Sequence, residues 1–232
     1  MKSENRKTML EQFREWKNND RKGPSEASRE AQKPEFTTDT EKPKNPTKAA
    51  VFTDFSAKLK AQNPISHCKE GSLVFIGKRS PERQANKFDD TFYLCRAKNG
   101  NFEIIDSYPI TTDPGTYYLQ HPMRPEGCAI MEEGIYVDAY ARGLHFKREA
   151  LVQVGKIKVY RDNDKDNILD MDPETLQEGL FAINIHEQFQ VDDVIGADSA
   201  ACWVFFKKAD LQRVLKIVDA SGQKRFTLIL TE

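Results

Sequence analysis

A histidine and a cysteine lie sixteen positions apart in this sequence, each beside a short apolar run. His186 ends the run at residues 183–186, and Cys202 precedes the run at residues 203–206. A thiol is a useful nucleophile only as a thiolate, and a neighbouring imidazole commonly generates one near neutral pH. If the two runs are adjacent β-strands, the imidazole can reach the sulfur. The spacing therefore predicts a cysteine nucleophile with a histidine base, and the competing interpretation is a pair of ordinary core residues.

The composition of the chain narrows the classes to consider. A length of 232 residues suits one large domain, or a domain with an appendage. The net charge of −1 gives no argument for nucleic acid or an anionic membrane as a partner. The cysteines contain no CxxC pair, which indicates free thiols in a reducing compartment rather than a disulfide scaffold or a structural zinc site. They are Cys68, Cys95, Cys128 and Cys202.

The first twenty residues bear on where the protein is made. They are charged throughout and lack the apolar core of a secretory signal. No apolar run in the chain approaches the ~18 residues that a membrane-spanning helix needs. We therefore expect cytoplasmic synthesis without a signal peptide, and no membrane span.

The composition of residues 1–62 predicts a charged, low-complexity N-terminal arm. Residues 8–18 predict a short amphipathic helix. Residues 19–48 carry four prolines among Lys, Glu, Ser and Thr, with almost nothing to bury. Such a stretch cannot offset its ordering entropy, so we expect it to be disordered in isolation.

A second amphipathic helix is predicted over residues 47–62, where Asn63-Pro64 would end it. Its apolar face consists of Val51, Phe52, Phe55 and Leu59. Two interpretations of the arm stay open. It is either a tail with one helix that packs on the core, or a docking element whose two apolar patches bind a protein partner.

Residues 66–232 are rich in β-strand patterns. The hairpin signal Lys98-Asn99-Gly100 separates two apolar runs, and residues 210–220 form the one clear helix, with Gly222 past its end. The predicted strands are residues 73–77, 91–97, 101–107, 117–119, 128–131, 135–139, 151–154, 156–160, 180–186, 203–206 and 226–230. Many short strands with one late helix predict a mainly β domain, sandwich-like or barrel-like.

An acidic stretch at residues 162–170 places carboxylates at alternate positions, as calcium loops do. The weak metal candidates are Asp162, Asp164, Asp166 and Asp170. Pro173 stands where such a loop needs its bidentate glutamate, so a solvated acidic turn is the competing interpretation. No cofactor is required by any other pattern, and Ca²⁺ is the single candidate ion.

Three other features have ordinary interpretations. The basic residues 78–83 lack interleaved aromatics, so we read them as a solvated loop and predict no nucleic-acid partner. His145 falls in a polar connection between predicted strands. Tyr140 belongs to a set of tyrosines that suit strands and core, one or two of which could line a cleft.

The motif around Cys202 resembles the active-site signature of the L,D-transpeptidases, cysteine enzymes that act on peptidoglycan stem peptides. That signature is a strand ending in His, a loop, and then Ser-His-Gly-Cys leading into another strand. This chain has His186, fifteen intervening residues, and Ser199-Ala200-Ala201-Cys202. The similarity is closer to a divergent branch, seen in Bacteroidetes and their phages, with Gly-Ile-Asn-Ile-His and Trp-Ser-Ala-Gly-Cys-Gln-Val. It covers residues 73–230, with further similar stretches at residues 111–115, 121–123, 143–145 and 159–163.

The resemblance implies an L,D-transpeptidase-type β domain and assigns roles by position. Cys202 would attack the carbonyl of an L,D peptide bond and His186 would act as its base. Ser199 would be a supporting hydrogen-bonding residue, and the backbone N–H groups of Ala201 and Cys202 would form the oxyanion hole. His145 and Tyr140 would be neighbours that bind substrate.

Several residues depart from that signature. Ala182 and Ala201 replace glycines, Glu187 replaces an arginine, Asp198 replaces a tryptophan and Trp203 replaces a glutamine. An alanine that must adopt positive φ carries a steric cost. A carboxylate close to the sulfur would disfavour the thiolate and raise the thiol pKa.

Two functional hypotheses follow. The first is a peptidoglycan-modifying cysteine enzyme, more a hydrolase than a cross-linker, delivered by a phage particle or a tail-like injection assembly. The second is a catalytically degenerate structural or adaptor component of such an assembly, which docks through residues 1–62. The partner is a peptidoglycan peptide in the first case and another protein of the virion or injection particle in the second.

Overall fold

The structure is a computed structural model that describes residues 50–189 and 193–232. The helix predicted at residues 8–18 and the polar stretch that follows it lie outside the described residues. The strands are β1 Val51–Phe52, β2 Leu73–Lys78, β3 Asp90–Lys98, β4 Asn101–Thr111, β5 Cys128–Met131, β6 Gly134–His145, β7 Arg148–Gln153, β8 Ile157–Asp162, β9 Gln177–Gly179, β10 Ile185–Glu187, β11 Trp203–Phe205 and β12 Phe226–Thr231. The helices are α1 Ala57–Ala61, α2 Thr116–Gln120 and α3 Lys208–Ser221, with 3₁₀ turns at Pro64–His67 and Pro173–Thr175.

The strands of the large sheet form a closed ring. Their order is β4, β11, β10, β7, β6, β12, β2 and β3, and β3 pairs again with β4. The pairs β10–β11 and β2–β12 are parallel, and the other neighbours in the ring are antiparallel. β1 adds to β4, while β5, β8 and β9 form a separate small sheet. The prediction of a mainly β fold with one late helix is confirmed, and its barrel-like form is the one observed.

β2 is apolar on both faces because a core lies on each side of it. Leu73 and Phe75 belong to the main core, together with residues of β11 and α3. Val74 and Ile76 alternate with them and belong to a second cluster. Successive side chains of a strand point to opposite faces, so a continuous apolar run is what a strand between two cores requires.

The segment before β2 differs from its predicted form. The helix predicted over residues 47–62 is wrong in its extent, because Phe52 pairs with Phe102 on β4 and, within the described residues 50–62, α1 alone is helical. The edge of β4 supplies backbone hydrogen bonds, and Ser56 accepts a bond from the N–H of Leu59 to cap α1. Phe52, Phe55 and Leu59 are buried in the second cluster. β1 and α1 therefore share a core with the strands that follow residue 66.

Other elements correct the predicted pattern in smaller ways. Residues 117–119 lie in helix α2 rather than in a strand, and the strand predicted at residues 180–186 forms only as β10. β6 extends to His145, so this histidine ends a strand instead of lying in a connection. α3 has the predicted left-handed cap at Gly222, with φ of 66°. None of the helices in residues 50–189 and 193–232 is long and apolar enough to cross a membrane.

The basic run at residues 78–83 is not wholly solvated. Arg79 is 1% exposed and forms ion pairs from Nε to Asp113 Oδ1 at 3.0 Å and from Nη1 to Glu232 Oε1 at 3.2 Å. Nearby, Asp90 accepts hydrogen bonds from the backbone N–H groups of Ser80 and Thr112. We call Arg79, Asp90, Asp113 and Glu232 the charged cluster.

Candidate functional site

Three side chains from three strands converge in one place. His145 ends β6, His186 is the central residue of β10, and Cys202 immediately precedes β11. One nitrogen of each imidazole and the sulfur of the thiol all lie within 4.8 Å of one another. We call these three residues the thiol–imidazole cluster. The structure thus brings together the histidine and cysteine predicted as a dyad, and adds a second histidine.

The parallel pairing of β10 with β11 explains why His186 and Cys202 meet. Ile185 lies opposite Trp203 in the ladder, and both belong to the main core. His186 and Cys202 each neighbour one of these inward residues, so alternation directs both to the other side of the sheet. Trp203 fits because Gly77 lies beneath its ring, where an added Cβ would come within 2.3 Å of Cη2.

His186 is held in one orientation by the backbone. Its Nδ1 lies 2.7 Å from the carbonyl oxygen of Glu187, so Nδ1 carries the proton and donates it. Nε2 is buried and has no hydrogen-bond partner among the described residues. Burial, with the nearby His145 and Arg148, lowers the pKa of His186 to about 3. The ring is therefore a neutral imidazole near pH 7 with a free acceptor nitrogen.

His145 is oriented by a relay of two amides. The backbone N–H of Gln153 donates to Asn184 Oδ1 at 3.0 Å, and Asn184 Nδ2 then donates to His145 Nδ1 at 2.9 Å. The His145 ring stacks on that of His186, with ring centroids 4.3 Å apart, and the ring of Phe189 lies near both, 4.9 Å from His186 and 5.8 Å from His145. Burial lowers the pKa of His145 to about 4. Its proton is thus placed on Nε2.

Cys202 is partly exposed and exists as a thiol at neutral pH. The backbone N–H of Asn184 donates to Sγ at 3.4 Å, and Sγ donates to the carbonyl of Ala182 at 3.7 Å. Burial raises the pKa of Cys202 to about 11, which the Asn184 N–H offsets only in part. The side chain of Glu187 pairs instead with Arg148 and Lys208, at 3.0 and 3.1 Å. Desolvation is therefore the main cause of the raised thiol pKa.

Ser199 shapes the turn that carries Cys202. It is fully buried, and its hydroxyl lies 2.9 Å from the carbonyl of Asp113 and 2.8 Å from that of Cys202. The hydroxyl also accepts the N–H of Ala201 at 3.1 Å. Of the two predicted oxyanion donors, the Ala201 N–H is thus already engaged, and the Cys202 N–H is the stronger candidate.

Two alanines at the site have strained backbones. Ala201 has φ of 113° and Ala182 has φ of 58°. Both are positions where the resembled signature has glycine, the residue that adopts positive φ without steric cost. Such conformations cost of order 1–3 kcal/mol each in other residues. The expected departures from the signature therefore coincide with local strain beside Cys202.

Tyr140, predicted as a substrate-binding neighbour, lies inside the main core. It is fully buried, and its hydroxyl donates to the carbonyl of Ile183 at 3.0 Å. It supports the strand that leads to His186 rather than lining an open surface. Burial raises its pKa well above the ordinary value for tyrosine.

The acidic loop at residues 162–170 uses its carboxylates as turn acceptors. Asp164 accepts the N–H of Asp166 at 3.0 Å, and Asp162 accepts the N–H of Asp170 at 3.0 Å. Burial, with the neighbouring carboxylates, raises the pKa of Asp162 to about 6. Among the described residues, the group of three or more His, Cys, Asp or Glu side chains whose ligand atoms lie close enough to hold a metal ion is the thiol–imidazole cluster, not the acidic loop.

Sequence reasoning missed two amide side chains that organise the site. Asn184 contacts Cys202 through its backbone and His145 through its side chain. Gln153 accepts the N–H groups of Phe181 and Ile183 through Oε1, at 3.0 and 3.1 Å. Asn184 lay within the Ile-Asn-Ile-His motif and could have been singled out, whereas Gln153 carried no local signal.

Comparison with known proteins found no match: no family model, no curated protein and no solved structure matches the chain. The chemistry of this site must therefore be judged from its own geometry. That geometry offers a thiol, a neutral imidazole whose lone pair has no partner among the described residues, and a second imidazole that carries its proton on Nε2.

Proposed function

We propose that this protein is a cysteine enzyme that breaks or exchanges peptide bonds in peptidoglycan stem peptides, with Cys202 as nucleophile and His186 as base. The observation that carries the proposal is the convergence of Cys202 with an oriented, neutral His186 whose Nε2 has no hydrogen-bond partner among residues 50–189 and 193–232. A base needs a lone pair within reach of the proton it removes, and His186 offers one. The substrate class rests on the resemblance of residues 183–204 to the L,D-transpeptidase signature.

The reaction begins when Sγ attacks the carbonyl carbon of the L-centre in an L,D peptide bond. The thiol proton passes to His186 Nε2, and the backbone N–H of Cys202 stabilises the oxyanion. Collapse of the tetrahedral intermediate forms a thioester and breaks the C–N bond. The leaving amine of D-alanine takes the proton from His186. Water or a second amine then attacks the thioester and regenerates the thiol.

The shifted pKa values determine when the proton moves. Burial raises the pKa of Cys202 to about 11 and lowers that of His186 to about 3. Both shifts favour the neutral thiol–imidazole pair over the ion pair. Proton transfer therefore accompanies attack on a bound substrate and does not precede it.

His145 is suited to hold the substrate. Because Asn184 donates to Nδ1, the proton of His145 is on Nε2. This N–H can donate to a carbonyl or carboxylate oxygen of a peptide beside Cys202. Stacking on His186 fixes the ring, so the donor is positioned before the substrate arrives.

A second candidate is a degenerate enzyme that serves as a structural or adaptor component. The observation in its favour is Ala201, whose φ of 113° strains the residue before the thiol. In either case we propose delivery by a phage particle or a tail-like injection assembly, with residues 1–62 as the source of docking contacts. The burial of Phe52, Phe55 and Leu59 leaves the part before Val51 as the docking segment.

The test measures the release of D-alanine from a synthetic stem tetrapeptide by the full chain, in a buffer that contains a metal chelator. Wild type is expected to release D-alanine and to form a thioester adduct visible by intact mass. Cys202→Ala should abolish both, and His186→Gln should slow release by about 10²–10⁴-fold, the usual contribution of a general base. Cys68→Ala is the matched control, a partly exposed cysteine outside the cluster.

Two results would count against the proposed enzyme. Activity that survives Cys202→Ala would overturn the proposed mechanism. A folded wild type that gives neither D-alanine nor adduct, with a Cys202 alkylation rate unchanged by His186→Gln, would favour the adaptor.

A further inference from the structure

The thiol–imidazole cluster also has the donor set of a metal site. Two imidazole nitrogens and a thiol sulfur lie within 4.8 Å of one another on three different strands. Ligands held at about 2.0–2.3 Å from a zinc ion in tetrahedral geometry are about 3.3–3.8 Å apart. Side-chain movements of about 1 Å would therefore bring all three atoms onto one ion. Strands β6 and β10 already present the two rings. The rings would have to turn out of their mutual stack, because a metal ion binds in the plane of each imidazole.

The hydrogen bonds of the two rings favour coordination. Nε2 of His186 is a buried acceptor without a partner among the described residues, on a side chain only 1% exposed. An unsatisfied buried acceptor is costly, and an ion in the cluster would satisfy it. The carbonyl of Glu187 on Nδ1 is the outer contact that metal-binding histidines usually make. The lone pair of His145 lies on Nδ1, where an ion would replace the Asn184 amide hydrogen.

The donor types select the ion. The cluster contains nitrogen and sulfur and no carboxylate, so the hard ions Ca²⁺ and Mg²⁺ are disfavoured. Zn²⁺ is borderline-soft, forms tetrahedral sites with His and Cys, and keeps one position open when the protein supplies three ligands. Cys202 and His145 are partly exposed, so an ion has access from solvent.

We propose that Cys202, His186 and His145 bind one Zn²⁺, with the fourth position open to water. Binding releases the thiol proton and forms a zinc–thiolate bond, so no oxidant or reductant is involved. An ion held by Sγ blocks its attack on a carbonyl. Zinc occupancy and nucleophilic catalysis are thus mutually exclusive states of one site. The binding itself does not rest on the proposed peptidase function, although its inhibitory consequence does.

The experiment titrates the metal-free, reduced full chain with Zn²⁺ against a chromophoric chelator. We expect one ion per chain and a loss of affinity of more than about 100-fold in Cys202→Ser and in His145→Gln, because even outer contacts of a metal site contribute 10–100-fold. Both side chains are partly exposed, so these variants should fold. The matched controls are Cys68→Ser and His67→Gln, which alter a cysteine and a histidine outside the cluster and should leave affinity unchanged.

A second readout is independent of activity. Co²⁺ in place of Zn²⁺ should give a thiolate-to-metal charge-transfer band in the wild type that Cys202→Ser abolishes. Absence of zinc binding, or affinity equal in wild type, Cys202→Ser and His145→Gln, would overturn the proposal. Because D-alanine release is assayed in chelator, zinc binding without release would refute only the peptidase. Release without zinc binding would refute only the metal site.

Discussion

The charged cluster and the thiol–imidazole cluster are both buried polar groups, yet they are built on opposite principles. In the first, Arg79 has carboxylate partners in Asp113 and Glu232, and its Nη2 donates to the carbonyl of Met131. In the second, the groups are neutral and His186 Nε2 has no described partner. Charges held in ion pairs favour a single structure, although Asp113 Oδ1 accepts no hydrogen bond from the described residues. A lone pair without an ion pair or a hydrogen bond is available to a proton or a ligand. The charged cluster therefore holds the fold together, and the thiol–imidazole cluster contains the groups that can react.

The backbone conformations at the two clusters also differ. Neither Arg79 nor Asp113 has positive φ, whereas Ala182 and Ala201, which lie beside the thiol–imidazole cluster, do. The clusters are also joined, because the hydroxyl of Ser199 bonds to the carbonyl of Asp113. The relaxed, paired region therefore holds the strained one in place.

Breaking the charged cluster should have the largest effect on stability. Arg79→Met leaves Asp113 buried without its cation, so the free energy of unfolding should fall by about 3–5 kcal/mol. Urea denaturation measures the change. The control is Arg142→Met, which removes exposed pairs with Asp219 and Glu149 and should cost less than about 1 kcal/mol. Equal losses in the two variants would show that the buried ion pairs of Arg79 stabilise the fold no more than exposed ones do.

The second largest effect on stability should come from acid, which acts on the thiol–imidazole cluster. Burial lowers the pKa of His145 to about 4, and the unfolded value is 6.5. The unfolded chain binds the extra proton between these values, so this stability is complete above pH 6.5 and is lost as the pH falls towards 4. His145→Gln should make the acid dependence shallower by up to about 1 kcal/mol per pH unit in that window.

The charged cluster should respond to pH with the opposite sign. Burial and the neighbouring Asp113 raise the pKa of Asp90 above its ordinary value of 3.8. The stability that Asp90 contributes is present below pH 3.8 and is lost as the pH rises through the pKa of the folded state.

The control for the His145→Gln prediction is the exposed variant His121→Gln, which should leave the dependence of stability on pH unchanged. An identical profile for His145→Gln and wild type would show that His145 is not held neutral by burial.

Relief of strain should give the smallest effect. Ala201→Gly and Ala182→Gly should each raise the free energy of unfolding by about 1 kcal/mol, since strain removed exceeds the added chain entropy. Thermal and urea unfolding check this. Ala197→Gly is the control in the same loop, where φ is not positive, and it should lower stability by about 0.5–1 kcal/mol. A loss in all three variants would mean that the alanines are not strained.

Local pattern was sufficient for the elements that form the dyad. The apolar runs beside His186 and Cys202 and the late helix follow from apolar periodicity, which is a short-range property. The bounds do not, because His186 lies inside β10 and Cys202 lies just before β11. Arg79 was misread because its partners Asp113 and Glu232 come from distant parts of the chain, and no local feature marks them. The arrival of His145 beside His186 depends on ring order, which periodicity does not encode.

The closed ring also constrains how the chain can fold during synthesis. β12 lies between β2 and β6, and its pairing with β2 joins residues about 150 positions apart, such as Val74 and Thr227. Until residues 226–231 leave the ribosome, a nascent chain carries β2 and β6 as open edges that can pair with other chains. Contacts this distant also slow closure, because the loop entropy is lost before the contacts form. Expression yield should therefore depend on what shields those two edges until the last strand arrives.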